Sequence, residues 1–186
     1  SDEATIAAEY SAEALVNIQE AGEKALETFT EDYDKVQKIT WYEPKSAPKY
    51  ADDRTCFYTY LGRSDSGGVW MRGVVNYTGD DWIFFESIII SIDGDNHTKS
   101  FNYSSDIVRD NAYGNVWEVA DYAIGDTEIG ISASERNLLV SIINSTETII
   151  RFEGDDYYDD HVVTKKEKEG LAAVLAAYDY LFGQSQ

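Results

Sequence analysis

The segment "WIFFESIIISIDG", residues 82–94, carries the densest apolar run of the chain. Read as an extended strand, its even positions hold Trp82, Phe84, Ile88, Ile90 and Ile92, and its odd positions hold Ile83, Phe85 and Ile89. Both faces are apolar, which predicts a central strand covered above and below. Asp93–Gly94 is a tight-turn pair and predicts a hairpin into "HTKSFNY". Upstream, "FYTYLG" and "VWMRGVVNY" read as strands joined by the glycine-rich loop "RSDSGG". Val69, Met71, Val75 and Tyr77 share one face of the second strand, with Arg72 and Asn76 on the other. Downstream, "NVWEVADY" reads as a further strand, and "ETIIRFEG" with "YYDDHVV" as a strand pair.

Helical spacing brackets these strands. Ala14, Leu15, Ile18, Ala21, Ala25, Leu26 and Phe29 recur at helical intervals, so one long amphipathic helix is expected from about Thr5 to Phe29, weakened at Gly22. Ser132 and Glu135 have capping-box spacing ahead of Leu138, Leu139, Ile142 and Ile143, a short middle helix. Thr164 and Glu167 repeat the device and open a last helix with Leu171, Val174, Leu175, Tyr178 and Leu181 on one stripe. The expected fold is α+β: an antiparallel sheet packed by a long N-terminal helix, a short middle helix and a C-terminal helix. Residues 1–38 are expected to form the helix, a spacer from a membrane anchor, and residues 39–186 a single α+β domain.

Composition limits function. The chain has 186 residues, 35 acidic against 15 basic, and a formal net charge of −20. Such a field repels phosphate backbones, so nucleic acid is excluded as a partner, while a cation, a basic protein or a neutral sugar is compatible. Cys56 is the single cysteine, which rules out an intramolecular disulfide or a cysteine-based metal site, and no cofactor motif occurs. No apolar run reaches the length of a membrane span. The chain begins "SDEAT" without methionine, as expected of one from which an export signal has been removed.

Two stretches are candidate sites. "RFEGDDYYDDH", residues 151–161, sets four aspartates beside a histidine. Its spacing fits no EF-hand, and on a strand Asp155 and Asp159 face one way while Asp156 and Asp160 face the other. It reads as a hairpin, with Asp156 and Asp160 the residues a weak divalent site would use. The 35 carboxylates guarantee close pairs, yet spacing alone places no two across a cleft as a glycosidase requires. Aromatics offer more. Fourteen tyrosines and four tryptophans exceed what the core must hide. The segment "WYEPKSAPKY" places Trp41, Tyr42 and Tyr50 with Lys45 and Lys49 around both prolines of the chain, a semi-rigid, locally basic loop suited to contact a partner. The competing reading is a connection pinned across the sheet edge by Trp41 and Tyr50.

The segments "ITWYEPKSAPKY", "FYTYLG", "YTGDDWIFFESIIISIDG", "RDNAYGNVWEVAD" and "TIIRFEGDDYYDDHVVTKKEKEGLAAVLAAY", in that order, resemble a group of uncharacterised domains in secreted bacterial proteins, often lipoproteins of Gram-positive species. The likeness runs from Ile39 to Leu181. It implies an extracellular setting, with anchoring at the bacterial surface through a removed N-terminal segment, and it carries over no catalytic residue. The expected function is a non-catalytic interaction or accessory module, binding protein or cell-wall polysaccharide. The alternative is an acidic, carboxylate-dependent hydrolase acting on surface polymers.

Overall fold

The computed structural model describes residues 2–185, with side chains over 14–184. The fold is α+β, with antiparallel strands divided between two sheets and accompanied by three helices. Helix α1 (Asp2–Leu26) leads into β1 (Phe29–Asp34) and β2 (Ile39–Pro44), then β3 (Cys56–Ser64), β4 (Val69–Gly79), β5 (Ser87–Ile92), β6 (Asp95–Ser100), β7 (Ile107–Ala112) and β8 (Asn115–Ile124). Helix α2 (Ala133–Asn144), strands β9 (Thr148–Glu153) and β10 (Tyr158–Val162), and helix α3 (Lys165–Ser185) complete the chain. The larger sheet runs β1-β2-β3-β4-β8-β7 and the smaller one β10-β9-β5-β6. No helix among the described residues is long and apolar enough to cross a membrane.

Turn chemistry sets the registers. Asp93 and Gly94 have φ of 48° and 90°, and Tyr113 and Gly114 have 52° and 90°, the left-handed pairs that two-residue hairpins need. Both helix-opening boxes form. Ser132 Oγ accepts from the Glu135 amide while Glu135 accepts from the Ser132 amide, and Thr164 and Glu167 reciprocate in the same way. The predicted stripe of α3, Leu171, Val174, Leu175, Tyr178 and Leu181, is buried. Helix α3 packs on β2, β3 and β4 and also against α1 and α2.

Two expectations change. The first helix ends at Leu26, and Phe29 instead starts β1, which pairs with β2 along its whole length. Residues 29–34 therefore belong to the larger sheet, not to a spacer. Gly22 is no weak point either: a Cβ there would lie 2.2 Å from Tyr180 Cβ, so the missing side chain is what lets α1 approach α3.

The second change concerns residues 82–92. Strand β5 starts only at Ser87, between β9 and β6, and buries Ile88, Ile90 and Ile92 on one face with Ile89 half-buried on the other. Residues 82–86 lie outside the ladder, and Phe84 is exposed with φ of 50°. The cause is Glu118. Its fully buried carboxylate accepts from the amides of Ile83 (2.9 Å), Phe84 (3.0 Å) and Phe85 (3.0 Å). Those are donors a sheet neighbour would otherwise satisfy. Arg109 balances the charge, donating to Glu118 at 2.9 Å and to the Phe85 carbonyl at 2.7 Å. Ile83 and Phe85 point into the core, where Phe85 meets Phe152 edge to face at 5.1 Å.

Candidate functional site

Antiparallel register decides which side chains share the solvent face of the larger sheet. Trp41 is opposite Gly62, which is opposite Trp70; Tyr60 is opposite Arg72; Tyr58 is opposite Val74, which is opposite Asp121. Alternation sends the neighbours of these residues, Tyr42, Leu61, Met71 and Val75, into the core. The outer face thus gathers Trp41, Tyr58, Tyr60 and Trp70 from three adjacent strands.

Gly62 shapes this surface. A Cβ there would fall 2.4 Å from Trp70 Cε2, so the indole lies down across the β3 backbone, which only glycine allows. Trp41 meets Trp70 edge-on, with centroids 5.7 Å apart at 86°, and Tyr60 at 5.8 Å and 52°. Tyr58 follows Tyr60 at 6.4 Å. Beside them an open cleft of about 340 Å³ is lined by Thr30, Asp32, Trp41, Glu43, Tyr58, Tyr60 and Asp121.

The polar groups of the cleft are already organised. Arg72 Nε donates to Asp121 at 2.7 Å, and the Tyr60 hydroxyl donates to the same carboxylate. Burial pushes the Glu43 carboxyl above its ordinary value; a Tyr58 hydrogen bond works against this and the charge of Asp121 adds to it. Burial and the neighbouring carboxylates push the Tyr58 and Tyr60 hydroxyls up as well, so both remain donors.

The residues singled out by sequence are distributed unevenly. Trp41 belongs to the aromatic face. Tyr42 is buried in the core and offers no surface. Tyr50 is 59% exposed with Lys49 Nζ 5.3 Å from its ring centroid, while Lys45 donates to the Glu27 carbonyl. The loop is pinned by Asn76, whose Nδ2 donates to the carbonyls of Ala51 and Arg54 at 2.8 Å each. Trp41 packs on Tyr60 and Trp70, and the Tyr50 side chain is mostly exposed. The loop covers Cys56, whose thiol burial pushes up to about 12, an inert state.

In the acidic hairpin, Arg151 grips Asp160 with two bonds of 2.7 and 2.8 Å, and Asp156 stands exposed in the turn. His161 turns away and contacts Glu167 at 2.8 Å. Among the described residues no three His, Cys, Asp or Glu side chains are grouped to hold a metal ion.

Sequence reasoning missed Glu43, Tyr58, Tyr60, Trp70, Arg72 and Asp121 as a group. One signal was present: "FYTYLG" and "VWMRG" each alternate an aromatic or basic residue with the core-facing positions. The register that aligns them across strands depends on long-range pairing. Comparison of the chain with protein-family models, with curated proteins and with solved structures finds no match in any of the three.

Proposed function

We propose that this chain is a non-catalytic interaction module that takes an extended, neutral polysaccharide on the outer face of its six-stranded sheet. The observation that carries the reading is the aromatic surface itself, with Trp70 laid flat over Gly62 and Trp41, Tyr60 and Tyr58 beside it. A pyranose presents an apolar C–H face and a rim of hydroxyls. The rings suit the first, and Asp32, Glu43, Asp121 and Arg72 suit the second. A net charge of −20 disfavours anionic polymers and leaves neutral ones. The setting we infer is extracellular, at a bacterial surface, on the resemblance of residues 39–181 to domains of secreted proteins. Tyr50, Lys45 and Lys49 would then form a rim beside the platform.

Depletion onto insoluble neutral glycans and onto cell-wall material tests this. Trp70→Ala is expected to abolish capture while the protein stays folded. The loop variant Lys45→Ala, Lys49→Ala, Tyr50→Ser is expected to weaken it less. Equal capture of wild type and Trp70→Ala would overturn the reading.

A second reading, a carboxylate-dependent hydrolase, rests on Glu43 with its raised pKa lining the same cleft as Asp121. Glycoside hydrolysis uses an acid held protonated beside a second carboxylate. Release of reducing ends by the wild type, lost in Glu43→Gln, would favour the enzyme. Capture without release favours the module.

A further inference from the structure

A different surface, independent of the sheet face, has the chemistry of a cation-binding cage. We propose that the cleft where the 83–86 segment, the loop after β6 and the β9–β10 turn meet binds a small methylated ammonium compound of the choline type. The cleft holds about 310 Å³ and is lined by Ile83, Phe84, Glu86, Tyr103, Asp155, Asp156 and Tyr157. Phe84, Tyr103 and Tyr157 are 43%, 44% and 63% exposed, an unusual outlay of aromatic surface at one spot.

The aromatic walls are held in place from behind. Phe84 is turned outward by its φ of 50°, fixed by the Glu118 bonds on either side of it, and Trp82 stacks on its ring at 5.8 Å and 17°. Arg109 donates to the Tyr103 carbonyl at 2.9 Å and covers the Tyr103 ring with its guanidinium, 4.1 Å from the centroid. The third wall is drawn in by Gly154, where a Cβ would fall 2.1 Å from the Ile83 carbonyl oxygen. One buried ion pair, Arg109–Glu118, therefore orients both Phe84 and Tyr103.

The ligand class follows from the lining. Ring faces attract a cation through their quadrupoles, and Glu86, Asp155 and Asp156 add negative charge. No lysine or arginine lines the cleft, although Arg109 stands behind Tyr103. A calcium or magnesium ion needs a shell of oxygens, which aromatic walls do not supply. A quaternary ammonium is weakly hydrated, disperses its charge over methyl groups, and suits aromatic walls with carboxylates at the margin. The volume is near the lower end of small-molecule sites.

Titration calorimetry and amide-shift mapping with choline chloride test the proposal, with 3,3-dimethylbutan-1-ol as the neutral isostere. Choline is expected to bind at least ~10-fold more tightly than the isostere and to shift amides around Phe84, Tyr103 and Tyr157. Tyr157→Leu keeps apolar bulk on an exposed residue but removes the ring face, and is expected to weaken choline about fivefold with an unchanged melting temperature. Asp155→Asn with Asp156→Asn is expected to weaken it further and to flatten its salt dependence. Equal affinity for choline and the isostere, no binding of choline, or undiminished binding by Tyr157→Leu would each overturn the proposal.

Discussion

Glu118 performs at one position what a strand ladder performs at three. Its carboxylate takes the amides of residues 83 to 85 and faces Arg109, whose side chain is 13% exposed. Glu118→Ala would leave a buried guanidinium unpaired and three amides orphaned, and should cost ~3–5 kcal/mol in urea unfolding. Glu118→Leu combined with Arg109→Met should cost less than Glu118→Ala, because no charge is then stranded. Glu167 makes a second such junction. Burial raises its pKa, but bonds from His161 and from the amides of Thr164 and Phe57 prevail and hold it below the ordinary carboxylate range. The folded value lies below the unfolded one, so this contribution is present above the ordinary range and is lost as pH falls through the lowered value. The urea midpoint should therefore fall on acidification below the carboxylate's ordinary 4.5, and Glu167→Gln should remove part of that dependence.

Among elements, β5 and the segment before it separate two kinds of apolar residue that look alike in sequence. Ile90→Ala should cost ~2–5 kcal/mol, since Ile90 is 4% exposed inside the smaller sheet. Phe84→Ala should cost no more than ~1 kcal/mol, because the ring is exposed and the backbone is already strained. Thermal melts of the two variants check the contrast. The same pair marks how far the sequence could be read. Capping boxes, the Asp93–Gly94 turn and the α3 stripe are local, and each was legible from residues a few positions apart. The fate of residues 82–86 was set by a glutamate 33 to 35 positions away, which no periodicity contains. Strands β1 and β7 were missed for a related reason: "FTEDYD" is mostly polar and "IVRDNA" half polar, and each buries a single residue, so only their ladders identify them as strands. The aromatic face was half legible, as alternation within strands but not as alignment between them.

For the whole molecule, charge is the dominant variable. At −20, like charges oppose compaction, and moderate salt should raise the melting temperature by screening. Sodium and calcium chloride at equal ionic strength should act alike; an extra rise with calcium, lost when Asp156 and Asp160 are both changed to Asn, would place a divalent ion at the hairpin. The strand orders described above carry a further consequence, for solubility. The two sheets end in β1, β7, β10 and β6, four open edges with unpaired backbone groups, each a template for another chain. Every one carries acid: Glu31, Asp32 and Asp34 on β1, Asp110 on β7, Asp159 and Asp160 on β10, Asp95 on β6. Two molecules meeting edge to edge at neutral pH bring carboxylate against carboxylate and separate. That guard disappears as the carboxylates take up protons, so light scattering should rise steeply near the isoelectric pH of about 4.2 while the protein remains clear at pH 7.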